Sequence, residues 1–446
     1  MANIGFISLG CAKNQVDCER MMYRVKDAGY DVCGGVDGCD VVVINTCGFI
    51  DSAKSEAIEN ILTMGALKAE GRIGKILVTG CLSQRYQQTI LDEMPEVDGV
   101  LGTGSYTQIV PAIEALLRGE KVFDFGSIDA PEEETGRIVT TPEHYAFLKI
   151  AEGCDNRCAY CIIPYFRGKF RSRQMDDVLY EARLLADSGV KELIVVAQDT
   201  SRYGTDLGDG KRLLPQLLRQ LCAIEDFTWV RLHYLYPDEI DHELIDVIAR
   251  EPKIVKYLDI PLQHVDGEVL RRMNRRGNAE RIAELIEKIR KTVPDVTIRT
   301  TFITGFPGET EEQFSTLHQF IKDIRFERLG CFTYSPEEDT PAANFEGQVD
   351  EQTKHDRMER IMDSQMQISA EKNEEKIGKV AEVLVEGYDD YLKCYFGRTG
   401  ADAPEVDGKI FFLATRPLVF GEFVKVQIND SIEYDLLGEM CDESAK

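Results

Sequence analysis

Glu152-Gly153-Cys154-Asp155-Asn156-Arg157-Cys158-Ala159-Tyr160-Cys161 carries three cysteines in the spacing Cys-x-x-x-Cys-x-x-Cys. Three thiolates on one short loop can hold three irons of a cubane cluster and leave the fourth iron without a protein ligand. Electron-transfer clusters ordinarily use four cysteines, so a three-cysteine loop implies that another molecule completes the last iron. The alternative is a zinc knuckle. That needs a fourth Cys or His at ligand spacing, and none follows within thirty residues of Cys161.

Outward from this loop, apolar strand patterns recur with helical patterns between them. Phe147 to Ala151 leads into the loop, and Leu193–Ala197, Trp229–Leu232, Tyr257–Pro261, Thr297–Thr304 and Leu329–Thr333 follow. Helical periodicity occupies Asp176–Ser188, Leu213–Ala223, Glu239–Arg250, Val269–Met273, Ala279–Thr292 and Glu311–Ile324. Six βα units predict a partial (β/α) barrel with its functional face at the carboxyl ends of the strands. Polar residues gather there: Gln198-Asp199-Thr200, Gln263-His264, and Thr304-Gly305-Phe306-Pro307-Gly308-Glu309-Thr310. Glu309 also stands where an acid favours a helix start. His264 reads equally as a core histidine, and no residue is singled out as a catalytic acid or base. Arg167, Lys169, Arg171 and Arg173 line a substrate mouth or form a solvated charge run.

The first 120 residues alternate strand and helix signals: strands at Ile4–Leu9, Val41–Ile44, Lys75–Thr79 and Val97–Leu101, helices at Asp17–Ala28, Ser52–Lys68, Ser83–Met94 and Tyr106–Leu117. This predicts an open parallel sheet with helices on both faces. Cys11, Cys47 and Cys81 follow the first three strands, 36 and 34 residues apart, with Gly10, Gly48 and Gly80 beside them. The carboxyl ends of parallel strands lie side by side and bind ligands, so these thiols are expected to converge as a second three-cysteine site. The alternative is three buried structural thiols. Cys18, Cys33 and Cys39 read as non-ligands. Residues 120–145, polar and acidic, read as a linker.

Asp350 to about Glu375 lacks Pro and Gly and reads as one helix, ended by Gly378. Short runs at Val380–Val385, Tyr391–Phe396, Lys409–Leu413, Phe423–Ile428 and Ile432–Leu437 fit a small antiparallel β-barrel of the oligonucleotide-binding type. The chain thus reads as α/β multidomain, with domains at 2–118, 140–371 and 374–442.

Charge bears on partners. The chain of 446 residues has a formal net charge of −26, and residues 374–446 hold 16 acids against 8 Lys and Arg. Phosphate contact needs the opposite sign, so nucleic acid is disfavoured as a direct substrate. A basic protein surface suits the terminal barrel better, with Asp389, Asp390, Glu405 and Asp407 as candidate contacts. Solubility is the plainer reading of the same charge. No apolar run is long enough to span a membrane, and the start lacks a signal-peptide pattern. A cytoplasmic location is therefore expected, with the 13 cysteines serving as ligands and core thiols rather than disulfides.

The Cys154–Cys161 spacing, with aromatic Tyr160 before the last cysteine, resembles that of the radical S-adenosylmethionine enzymes. In them the amino and carboxylate groups of S-adenosylmethionine bind the open iron. The run Gly305–Glu309 resembles their segment beside the adenine and methionine parts of the cofactor. The resemblance implies that Tyr160, Gly305, Gly308 and Glu309 bind the cofactor. Over nearly its whole length the chain is similar to the methylthiotransferases. Their pattern is an amino-terminal three-cysteine domain, a radical barrel and a carboxy-terminal TRAM barrel. The branch resembled most methylthiolates the β-carbon of an aspartate in the small-subunit ribosomal protein uS12. Ser8–Asp17, Gln198–Thr200, Asp259–His264 and Gly397–Asp407 carry that likeness. Cys18, where relatives often have serine, is a small departure.

The resemblance implies two [4Fe-4S] clusters, on Cys154, Cys158 and Cys161 and on Cys11, Cys47 and Cys81. By the same resemblance the barrel cluster would reduce S-adenosylmethionine to methionine and a 5′-deoxyadenosyl radical, which would take hydrogen from the aspartate β-carbon. The other cluster would hold a sulfur that a further S-adenosylmethionine would methylate, and the methylthio group would pass to the substrate radical. A sulfur donor and a reductant are then required, and a basic ribosomal protein is the substrate. Two rival readings are methylthiolation of transfer-RNA adenosine and, more remotely, a non-catalytic iron–sulfur or RNA-binding protein. The run Gln263-His264-Val265-Asp266 stands where the transfer-RNA branch carries Gln-Ser-Gly-Ser.

Overall fold

The structure, a computed structural model, describes residues 2–131 and 133–441. The amino-terminal sheet is wholly parallel, in the order β2-β1-β3-β4-β5-β6. Its strands are β1 (Asn3–Ser8), β2 (Asp31–Cys33), β3 (Val41–Thr46), β4 (Lys75–Gly80), β5 (Gly99–Leu101) and β6 (Val122–Asp124). Helices α1 (Ala12–Asp27), α2 (Asp51–Ala69), α3 (Cys81–Tyr86), α4 (Gln88–Glu93) and α5 (Ile109–Leu117) cover both faces. Every residue of β3 is buried, which is why it reads as an unbroken apolar run. The single helix expected over 83–94 is two, split at Gln87, whose φ of 43° breaks the helical path. The edge strands β2 and β6, three residues each, lack a readable pattern.

The second unit is a six-stranded open parallel sheet in the order β14-β13-β12-β11-β10-β7. It comprises β7 (Tyr145–Lys149), β10 (Glu192–Val196), β11 (Trp229–Leu232), β12 (Ile254–Asp259), β13 (Thr297–Thr304) and β14 (Arg328–Thr333). A short antiparallel pair, β8 (Ala151–Glu152) and β9 (Arg171–Ser172), brackets the cysteine loop and α6 (Ile163–Arg167). The other helices are α7 (Met175–Asp187), α8 (Leu214–Cys222), α9 (His242–Arg250), α10 (Gly267–Arg272), α11 (Ala279–Thr292), α12 (Glu311–Ile324) and α13 (Glu351–Glu374). Strand side chains alternate between faces. Ala146, Leu148, Leu193, Val195, Val230 and Leu232 face the helices in the main core. The opposite face is covered by the rest of the chain. Tyr145, Phe147, Ile194 and Val196 pack on Val16 of α1, while Trp229, Val255 and Tyr257 pack on Leu384 and Ala403.

The last unit is a closed five-stranded barrel, β15-β16-β17-β19-β18, built from β15 (Val380–Asp389), β16 (Cys394–Thr399), β17 (Ile410–Leu413), β18 (Phe423–Ser431) and β19 (Leu436–Met440). It closes through one parallel pairing, β17 with β19; its other pairings are antiparallel. The strand expected at 432–437 begins later. Ile432 to Asp435 form a turn, closed by a 2.9 Å bond from the Ile432 N–H to the Asp435 carbonyl. The expected domain limit at residue 442 lies one residue outside the described residues.

Two expectations about charge change here. The Asp407 side chain is buried: it accepts from the Tyr257 hydroxyl at 2.7 Å and stands 3.9 Å from Arg299. It is no surface contact. The acidic stretch after β6 also does more than link. The Arg137 Nε lies 2.7 Å from Glu19 and Nη1 2.6 Å from Glu181, so the strap is pinned to α1 and α7 together.

Candidate functional site

The strand order dictates where the first three thiols meet. Because β1, β3 and β4 are neighbours in register, Ser8 opposite Asn45 and Thr46 opposite Gly80, the residues that follow them share one sheet end. Cys11 caps α1, Cys47 follows β3, and Cys81 opens α3. Gly10 has φ 89°, and a Cβ there would stand 2.6 Å from the Cys47 Cβ. Only glycine lets these two segments come so close. The Asn14 Nδ2 donates to the Leu9 carbonyl at 2.7 Å, and the Asn45 Nδ2 to the Asn14 carbonyl at 2.7 Å, which locks the turn around Cys11.

Arg167, at the end of α6, reaches this thiol site from the other domain. Its Nε donates to Cys81 Sγ at 3.4 Å, Nη2 to Asn14 at 2.9 Å, and Nη1 to Asp17 at 2.5 Å and Glu152 at 3.1 Å. Lys149 pairs with the same two acids. Burial opposes ionisation of Glu152, but Lys149 and Arg167 hold its carboxyl far below the usual range. Arg167 and Arg173 are therefore neither a substrate mouth nor a solvated run. Arg173 is buried against Glu134 and Glu181, at 2.5 and 2.7 Å.

The loop 154–161 is held on all sides. The N–H of Cys154 donates to the Gly168 carbonyl at 3.1 Å, and that of Ala159 to Met273 at 2.9 Å. Asn274 Nδ2 donates to the Arg157 carbonyl at 2.8 Å, and Asn156 to Asp199 at 2.8 Å. Arg275 lies 3.9 Å from Cys158 Sγ and 3.5 Å from the Tyr160 hydroxyl. Burial pushes the thiols of Cys81 and Cys154 up to about 12 and raises those of Cys47 and Cys161. For Cys11 burial is outweighed by Lys13 and Arg167, and its thiol is lowered.

Among the described residues no three His, Cys, Asp or Glu side chains crowd closely enough to hold a single metal ion. A cubane gives each thiolate a separate iron, so its ligands stand farther apart than those of one ion. The donor chemistry fits such a group at both places: three thiols, glycine-permitted close approach, and a buried guanidinium beside a sulfur.

The run 304–310 turns beside the strand ends. Gly305 has φ 71°, and a Cβ there would meet Lys354 Cγ at 2.2 Å, so α13 seats only on glycine. Gly308, φ 76°, faces Arg272. Glu309 does not start the helix. Thr310 is the cap of α12, in a capping box with Gln313. The Glu309 carboxylate accepts from the N–H of Gly305 at 2.9 Å and Phe306 at 3.3 Å, and from Arg357 at 2.9 Å. Burial pushes it up to about 7 against those donors. Glu309 braces its own loop. His264 is fully buried, its Nδ1 accepts from the Asp266 N–H at 3.0 Å, and burial lowers it to about 3. It is a core histidine.

One cavity of about 590 Å³ joins the two halves. Phe49 and Asp51, just past Cys47, form one wall, and Tyr160, Gln263, Phe332 and Tyr334 the other. Sequence reasoning missed Asn14, Asp17, Lys149 and Glu152 as parts of the site; Asn14 and Asp17 meet Arg167 about 150 residues on, and Lys149 reaches Asp17 across 132. Only the basic run at 167–173 hinted at them.

Sequence relatives give the class: the chain is a radical S-adenosylmethionine methylthiotransferase. The radical SAM superfamily matches residues 148–321, the uncharacterized protein family UPF0004 residues 3–102, and the TRAM domain residues 377–441. The chain is 48% identical to the ribosomal protein uS12 methylthiotransferase RimO of Thermoanaerobacter sp. (strain X514), over 98% of this chain and all of that one. It is 46% identical to the RimO of Clostridioides difficile over the whole of both. The chain belongs to the RimO family. Among solved structures, the radical methyltransferase TsrM of Kitasatospora setae shares the fold with TM-score 0.55 and 13% identity, covering 74% of this chain and 73% of that chain. No helix among the described residues is long and apolar enough to cross a membrane.

Proposed function

We propose that this chain transfers a methylthio group to the β-carbon of an aspartate in the small-subunit ribosomal protein uS12, in the cytoplasm, using two [4Fe-4S] clusters. Cys154, Cys158 and Cys161 hold one, and Cys11, Cys47 and Cys81 the other. Bound S-adenosylmethionine and the clusters supply radical and sulfur chemistry that side chains cannot perform. The observation that carries this reading is the shared cavity, whose lining includes Phe49 to Ser52, just after Cys47, and Tyr160, just before Cys161. Arg275 stands 3.5 Å from the hydroxyl of Tyr160 in its wall. Gly305 and Gly308 bring backbone to the cofactor, and Glu309 holds that turn in shape. The domain limits 2–118, 140–371 and 374–442 belong to the same reading, as do a separate sulfur donor and reductant. The test is mass spectrometry of uS12 and of transfer RNA from a deletion strain with and without this chain. A methylthio-aspartate that appears only with the chain is expected. A modified adenosine in its place would overturn the reading.

A further inference from the structure

We infer that Lys13 and Arg167, one from the amino-terminal domain and one from the radical domain, hold the reduction potential of the amino-terminal cluster high. The inference rests on the reading of Cys11, Cys47 and Cys81 as that cluster's ligands. Both residues act through the ligating sulfurs, so they are positioning residues and not catalytic ones.

Lys13 stands two residues after Cys11, in the first turn of α1, and is buried. Its ammonium rests on the ring of Tyr234, 3.6 Å from the centroid. Among the described residues no carboxylate comes within ion-pair distance of it. Tyr234 is held there against its own preference. Its φ is 62°, a region that residues other than glycine rarely enter. Its N–H donates to Asp259 at 3.1 Å, and its carbonyl accepts from the Thr200 N–H at 3.1 Å. A buried cation without a counter-ion is costly, and the face of an aromatic ring offsets that only in part. Three thiolates on a cluster supply the missing anion.

The net charge of Arg167 is already answered. Arg167 and Lys149 face Asp17 and Glu152, two cations against two acids. What Arg167 offers the cluster is therefore local: its Nε–H, aimed at Cys81 Sγ at 3.4 Å. Hydrogen bonds to the sulfurs are among the features that set a cluster's potential. Lys13 brings charge, and Arg167 brings a directed donor. The same two cations lower the Cys11 thiol against its burial. Reduction adds one negative charge to the cluster. A nearby cation and an N–H on sulfur both favour that reduced form.

The test isolates one cluster. In the full-length chain with Cys154, Cys158 and Cys161 replaced by Ala, only the amino-terminal cluster remains, and its potential is read by redox titration followed by electron paramagnetic resonance. Lys13→Met keeps the length of the side chain and removes its charge. It is expected to lower the potential by about tenfold in the one-electron equilibrium, about 59 mV. Lys13→Gln, equally uncharged, repeats the comparison, and Lys13→Arg should stay close to the unsubstituted potential. Arg167 is tested in place, since its removal would also unpair Asp17 and Glu152. With isotopically labelled arginine incorporated, the reduced cluster is expected to show an isotropic nitrogen coupling, which needs a path through N–H to sulfur and not mere proximity. An unshifted potential in the uncharged Lys13 variants, or no arginine coupling, overturns the inference while the ligand assignment stands. A chain that holds no iron–sulfur cluster in this background overturns the ligand assignment beneath it.

Discussion

Arg167 Nε donates to Cys81 Sγ at 3.4 Å, so a side chain of the radical domain touches a thiol of the amino-terminal domain. The same guanidinium holds Asp17 and Asn14 of α1 and Glu152 of its own domain. The amino-terminal thiol site is thus completed by a buried cation of the radical domain.

Removing that cation should be costly. Arg167→Ala leaves Asp17 and Glu152 sharing Lys149 alone in a buried setting, and breaking a buried pair on one side typically costs about 3–5 kcal/mol. Thermal and urea denaturation of the cluster-free protein should show a loss of that order. A loss under about 1 kcal/mol would mean that water replaces the guanidinium.

Replacing Cys154, Cys158 and Cys161 with Ala should remove about half the iron and all 5′-deoxyadenosine formation, because one cluster loses its ligands. Iron analysis of anaerobically reconstituted protein and product chromatography read both. Continued cleavage of S-adenosylmethionine would defeat the assignment.

Replacing Cys11, Cys47 and Cys81 should leave the other cluster and reductive cleavage in place while methylthio transfer to uS12 stops. Loss of both activities in a well-folded variant would show that the two sites do not divide the work.

Acid should loosen the terminal barrel. Glu192 is fully buried between Arg398 of β16 and Arg231 of β11, at 2.6 and 2.7 Å. Burial opposes its ionisation, but these two cations lower its carboxyl to about 2. A depressed carboxyl contributes stability that is complete above its unfolded value, near 4.5, and is lost as pH falls from there to about 2. The loss corresponds to a few kcal/mol, at about 1.4 kcal/mol per pH unit. Glu192→Gln should be less stable at neutral pH and flatter across that window, as read by denaturation at stepped pH. A wild-type profile in the variant would place the acid sensitivity elsewhere.

The sequence by itself determined the two triplets of cysteines, the βα alternation, the strand-end positions of Cys11, Cys47 and Cys81, and the five-strand terminal barrel. Each of these is local: spacing within a loop, period two or 3.6 along an element, a glycine where the chain must turn. Tertiary structure alone decided that Arg167 faces Cys81 rather than solvent, that Asp407 lies under the barrel rather than on it, and that Glu309 braces its own turn. A charged side chain has the same appearance in sequence whether water or a buried counter-ion solvates it. The counter-ions here are long-range: Asp17 lies 150 residues from Arg167, and Glu192 lies 206 from Arg398. Only the packing of three domains on one another brings them within reach.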